Sequence, residues 1–170
     1  MVQPSRVSDT MLGGLMRNAS PDLEPVIREF ADRAEVGLHL AVFVEPYLSH
    51  VFDGSKTVES RFSARPIAPH GRVATGDVIL LKRSGQPITG WCRAGTVWSY
   101  ALDPASWTEI RHRFTASLRA QGDFWESRKA AHFATLIQVE DVHKVRPTPV
   151  NKRDRRGWVV LADRDAPRLL

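Results

Sequence analysis

The feature that most limits how this chain can fold is a glycine turn at Gly54 followed by two-residue alternation from Thr57 to Arg65. Thr57, Glu59, Arg61, Ser63 and Arg65 fall on one side. Val58, Phe62 and Ala64 fall on the other, with Ser60 the single polar residue among them. Successive side chains of a strand leave opposite faces, so the pattern predicts a half-buried strand. One face then carries two arginines and a glutamate in a row, as a solvated surface or as the wall of a polar groove. On the residues alone, a Glu59–Arg61 surface pair beside a solvated Lys56 is the simpler reading, because exposed ion pairs are common.

The segment Gly54-Ser55-Lys56-Thr57-Val58-Glu59-Ser60-Arg61, with Gly76-Asp77-Val78-Ile79 opening a later strand, resembles the signature of the ASCH domain family. The resemblance spans roughly residues 37 to 161. It implies an α+β fold, a small PUA-like β-barrel with flanking helices and an N-terminal helical extension. Residues 1–36 would be a leader and amphipathic helix, and 37–170 the ASCH, PUA-like domain. Barrels of this kind bind RNA or modified bases. With the resemblance, the groove reading of the polar strand prevails, and Lys56, Thr57, Glu59, Arg61 and Arg65 become candidate ligand-binding residues. Arginine forks onto acceptor pairs and a carboxylate accepts from an exocyclic amine, so the set suits a base edge and a phosphate. A partly desolvated lysine can instead serve as a base.

The family also implies an alternative as a small hydrolase. Some members are amidohydrolases that deacetylate N4-acetylcytidine, and others are linked to ribonuclease activity. The amidohydrolase type uses a lysine, a threonine three residues on and a more distant glutamate. Here Lys56 matches, but Glu59 stands where the threonine is expected, and Thr57 has the wrong spacing. Glu126 is the candidate for the distant glutamate. If the protein is an enzyme, Lys56, Glu59 and Glu126 are therefore the expected catalytic groups; a ribonuclease would use Lys56 and Glu59 as its base and acid.

Charge points the same way as the binding reading. Lys and Arg number 24 against 19 Asp and Glu, a formal charge of +5 that favours polyanions. The densest cluster is Lys152-Arg153-Asp154-Arg155-Arg156-Gly157-Trp158. Lys152, Arg155 and Arg156 could track a phosphate backbone, or form a solvated charge run, while Trp158 opens an apolar strand and reads as core. Ser84, in a glycine turn after Lys82-Arg83, could bring backbone N–H groups to an anion. Trp125 reads as core or as a pocket-mouth aromatic beside Glu126. RNA or a modified nucleoside is the expected partner; a protein-interaction domain meeting an acidic partner is the remaining possibility.

Other classes find no support in the residues. The single cysteine, Cys92, allows no internal disulfide and no thiolate zinc cluster, and its strand context predicts a buried thiol. The histidines show no HxH or HExxH spacing, so no metal is assigned, and neither a P-loop nor G-x-G-x-x-G is present, so no cofactor is expected. No run approaches the ~20 apolar residues of a membrane span, which leads to the expectation of a cytoplasmic protein.

Along the chain, residues 1–20 read as a mobile leader. Asp22 is then expected to cap a helix with Pro25 in its first turn and Leu23, Val26, Ile27, Phe30, Ala31 and Ala34 as its apolar stripe. Strands are expected over 38–44, 78–82, 88–100 with a break near Gly95, 133–139 and 156–161, and helices at 46–52 and from Pro104. A short helix capped by Asp123 is expected to carry Phe124, Trp125, Glu126 and Arg128, and 145–151, with two prolines, reads as a loop.

Overall fold

Leu38–Phe43 (β1) is apolar at nearly every position, as a strand covered on both faces must be. In the computed structural model, which describes residues 6–164, five of its six residues are buried. β1 runs parallel to Val78–Arg83 (β3) and antiparallel to Trp158–Ala162 (β6). Beyond β3 the sheet continues through Ile88–Ala101 (β4) and Phe133–Thr148 (β5) to Val58–Ser63 (β2), in the order β2-β5-β4-β3-β1-β6. The six strands curl into a half-barrel.

The two long strands turn the corner. The first half of β4 pairs with β3 and the first half of β5 pairs with β2, while β4 and β5 pair with each other through three register shifts. An extra residue in one strand bends it and increases its twist. The break expected near Gly95 is one of these irregularities, between Ala94 and Val97, inside a continuous strand. The expected loop over 145–151 is corrected in its first half, because β5 runs on to Thr148. Pro147 falls in the irregular stretch between the pairs Gly90–Lys144 and Ile88–Thr148, where a missing N–H breaks no regular ladder.

Among the described residues, four helices flank the sheet: Arg6–Asn18 (α1), Glu24–Ala31 (α2), Tyr47–Phe52 (α3) and Pro104–Leu118 (α4). The mobile leader expected over 1–20 is corrected for its described part, since α1 buries Met11, Leu12 and Leu15 in the same core as Leu23, Ile27, Leu38 and Leu161. Residues 1–5 and 165–170 of the expected segments lie outside the described residues. Asp22 does not cap α2, whose N-cap position is Leu23. It accepts instead from the Arg146 guanidinium at 2.8 Å and the Arg146 N–H at 2.9 Å, tying the approach to α2 onto β5. α4 begins as expected: Asp103 and Ser106 form a reciprocal capping box around Pro104, and Ile110, Phe114 and Leu118 are buried. The short helix expected after Asp123 is a single 3-10 turn, Glu126–Arg128, without a side-chain cap.

β2 covers 58–63, so the expected alternation stops short of Ala64 and Arg65. Nor does its burial alternate: Val58, Glu59 and Ser60 are all buried. On the polar face Glu59 is buried while Arg61 and Ser63 are half-buried, and the groups packed around Glu59 form the site.

Candidate functional site

The turn before β2 is shaped to deliver Lys56. Gly54 adopts a φ of 82°, which glycine takes without a Cβ penalty. The Lys56 N–H donates to His50 O of α3, and the Thr57 N–H donates to Ser117 O in the last turn of α4, each at 3.0 Å. The Lys56 ammonium then donates to Leu118 O at 3.0 Å. It lies 3.7 Å from Glu59 Oε1 and 5.3 Å from the centre of the Tyr47 ring. The last carbonyls of a helix lack intrahelical partners and form the negative end of its dipole, so α4 favours a cation at this point. Lys56 is nevertheless only 2% exposed. Burial pushes its pKa down, Glu59 raises it in part, and the nearby guanidiniums of Arg61 and Arg128 lower it further.

Glu59 is oriented from both sides. Its Oε1 accepts from the Ser60 N–H at 2.6 Å, and its Oε2 lies 3.4 Å from Arg61 Nη2. Arg61 is committed to the protein: Nη1 donates to Gly157 O at 2.9 Å and Nη2 to Val42 O at 3.0 Å. Its guanidinium packs between the rings of Phe43 and Trp158, 5.2 and 5.3 Å from their centres. Arg61 thus clasps β2 to the ends of β1 and of the basic loop, and gives the site charge and shape. Across from it, Arg128 lies 3.7 Å over the Phe124 ring and donates to Phe124 O at 2.9 Å and Ser127 Oγ at 3.1 Å.

These groups line an open cavity of about 430 Å³ between β2, the end of β1, α3 and the 3-10 turn. Tyr47, Phe62 and Phe124 supply aromatic wall, and Ser60 and Ser127 supply hydroxyls. Three cations face one carboxylate, so the interior is positive. An ammonium has three N–H bonds; Lys56 uses one on Leu118 O and turns another toward Glu59, leaving one for a ligand acceptor.

The Gly76-Asp77 pair reaches the same cavity indirectly. Asp77 is fully buried and accepts from the Gly37 and Ala74 N–H groups, His39 Nε2 and Arg164 Nε at 2.7–2.9 Å. The Trp158 indole N–H donates to His39 Nδ1 at 3.1 Å. An indole can only donate, so Nε2 is the His39 nitrogen that carries the hydrogen to Asp77. Trp158, fixed by this chain, is one of the rings that hold Arg61.

Of the residues singled out in the sequence, Lys56, Glu59 and Arg61 meet in the cavity. Thr57 and Arg65 are exposed beside and beyond β2, and Ser84 is exposed with its N–H on Phe43 O; none of the three lines the cavity. Trp125 and Glu126 line a neighbouring cleft. Lys152 and Arg156 fold onto Asp154, each at 2.8 Å, and Arg155 is exposed. Their loop reaches the cavity wall through Gly157. Cys92 is buried, and burial pushes its thiol well above the usual range, which leaves it unreactive. No motif in the sequence marks Tyr47, Ser127 and Arg128 as lining residues. They come from distant segments, and the aromatic pair Phe124-Trp125 beside Arg128 is the one local hint. Among the described residues, no group of three or more His, Cys, Asp or Glu is placed to hold a metal ion, and no helix is long and apolar enough to cross a membrane.

The molecule is an α+β half-barrel with a polar cavity at its β2 edge. Its fold is that of the ASCH domain. The crystal structure of ASCH from Zymomonas mobilis matches with a TM-score of 0.58 at 13% identity, over 72% of this chain and 86% of that one. Two mutant forms of the Zymomonas protein give TM-scores of 0.59 and 0.60 at 14% and 13% identity. They cover 75% and 77% of this chain and 92% of their own. No family model and no curated protein matches the sequence.

Proposed function

We propose that the protein binds single-stranded RNA, or a modified nucleoside, by taking a base into the Lys56 cavity. The observation that carries this reading is a buried ammonium inside a positive, aromatic-walled cavity of about 430 Å³. That volume suits a nucleoside-sized ligand. Aromatic side chains stack on unpaired bases, Lys56 donates to a base carbonyl or ring nitrogen, and Glu59 accepts from an exocyclic amine. Outside the cavity, the exposed Arg155 supplies charge for the backbone, beside an Arg156 that is paired with Asp154. The test is titration of a labelled single-stranded RNA at low and moderate salt with the wild-type protein and Lys56→Met. Salt-sensitive binding that Lys56→Met weakens tenfold or more, with the circular dichroism spectrum retained, is expected. Equal affinity in the variant would remove the cavity from the reading.

A second reading, a small hydrolase of acylated cytidine or a ribonuclease, is favoured by the lowered pKa of Lys56 and by the hydroxyls of Ser60 and Ser127 in the same cavity. Lys56 would then take a proton from the attacking group. Incubation with N4-acetylcytidine, followed by acetate detection, tests the acyl case. Release that persists in Lys56→Met would exclude Lys56 from the chemistry.

A further inference from the structure

Beside the Lys56 cavity lies a second cleft of about 380 Å³, lined by Trp107, Arg111, Gly122, Trp125, Glu126 and Lys129. The two share a partition. Phe62 lines the first cavity and Trp107 lines the second, and their rings stack with centres 5.4 Å apart and planes within 3°. Trp125 stands at 87° to Trp107 and 88° to Phe62, bracing the stacked pair from the side. One face of Trp107 is therefore taken by Phe62. Arg111 lies 5.8 Å from the Trp125 ring and is exposed, and Lys129 is exposed and paired with Glu126. The cleft thus offers two indoles at a right angle, two cations and one carboxylate, a net positive charge.

Resting on the reading of the first cavity as a base pocket, we infer that this cleft holds a neighbouring nucleotide of the same single strand. Its base stacks on an indole, its phosphate meets Arg111, and Glu126 can accept from an exocyclic amine. Charge complementarity and the shared Phe62–Trp107 partition both favour a strand that continues from one compartment into the next. The preferred ligand is then an oligonucleotide rather than a free nucleoside.

The test uses the full chain and a mixed-sequence single-stranded RNA octamer, read by fluorescence polarisation, with Trp107→Leu, Arg111→Ser and Lys56→Met. Trp107→Leu is expected to weaken binding roughly 5- to 100-fold, the range for loss of one base–aromatic stack. Arg111→Ser is expected to weaken it several-fold and to reduce the salt slope by about one phosphate contact. Trp107→Phe, which keeps a ring against Phe62, is expected to retain most of the affinity. Wild-type affinity in Arg111→Ser overturns the inference, even where Trp107→Leu is weakened, because that variant also removes the ring behind Phe62. If Lys56→Met alone is weakened, the base pocket stands and the cleft falls. If both cleft variants are weakened and Lys56→Met is not, the cleft binds RNA by itself, and the base pocket falls together with the two-compartment inference. Absence of RNA binding by the wild-type protein removes both.

Discussion

Lys56 and Asp77 show how burial sets the chemistry of single residues here. Burial holds the Lys56 pKa below its ordinary 10.5, against the attraction of Glu59. Between the depressed native value and the ordinary one, the unfolded chain binds more protons than the folded chain. Fold stability attributable to Lys56 therefore rises with pH across that window. Ligand binding that needs the ammonium runs the other way. RNA affinity is expected to fall as pH rises toward 10.5, beginning before ordinary lysines titrate, and Lys56→Met should lack that component in pH-dependent titrations. Asp77 has the opposite shift. Burial alone would raise its pKa, but His39 and Arg164 hold it at about 2, below the ordinary 3.8. Its contribution to stability is complete above the ordinary value and is lost as pH falls toward 2. Asp77→Asn is expected to cost about 3 kcal/mol at neutral pH in urea denaturation, by weakening a buried charged hydrogen-bond network, and to flatten the acid limb. An unchanged acid limb would show that the carboxylate does not carry it. Sequence marked both residues through a motif, but their burial and partners come from segments far away in the chain.

At the scale of elements, legibility follows the strength of the local pattern. β1, α3, β3 and the capped start of α4 were readable because apolar runs and an Asp-Pro start act over a few residues. α1 was not. Its apolar residues are few, Gly13-Gly14 lowers its helix propensity, and its burial depends on β6 and α2. Leu15→Ala is expected to cost about 2–5 kcal/mol in chemical denaturation, the range for a buried leucine, whereas a detached leader would show no change. The end of β5 was hidden for a related reason. Two prolines near 145–151 signal a loop, yet Thr148 is fully buried and its hydroxyl accepts from the Ser20 N–H at 2.9 Å. A contact spanning most of the chain outweighs the local signal.

For the whole molecule, the formal charge of +5 matters through where the cations are free to act. Lys152 and Arg156 are paired with Asp154, which they hold well below the usual carboxylate range, while Arg155 is exposed. Arg155→Ala is expected to weaken binding of all RNA sequences alike and to lower the salt slope by about one contact. A salt dependence identical to wild type would sink that role. The α+β class and the ASCH-like polar strand were legible in the residues, because alternation and a short motif place Lys56, Glu59 and Arg61 on one strand and its entry turn. That Lys56 and Glu59 are buried rather than solvated follows from long-range packing alone. The Tyr47 and Phe124 walls, Arg128, the carbonyls of Leu118, Val42 and Gly157 and the stacked Phe62–Trp107 partition are brought together by long-range packing, which no local pattern of residues encodes.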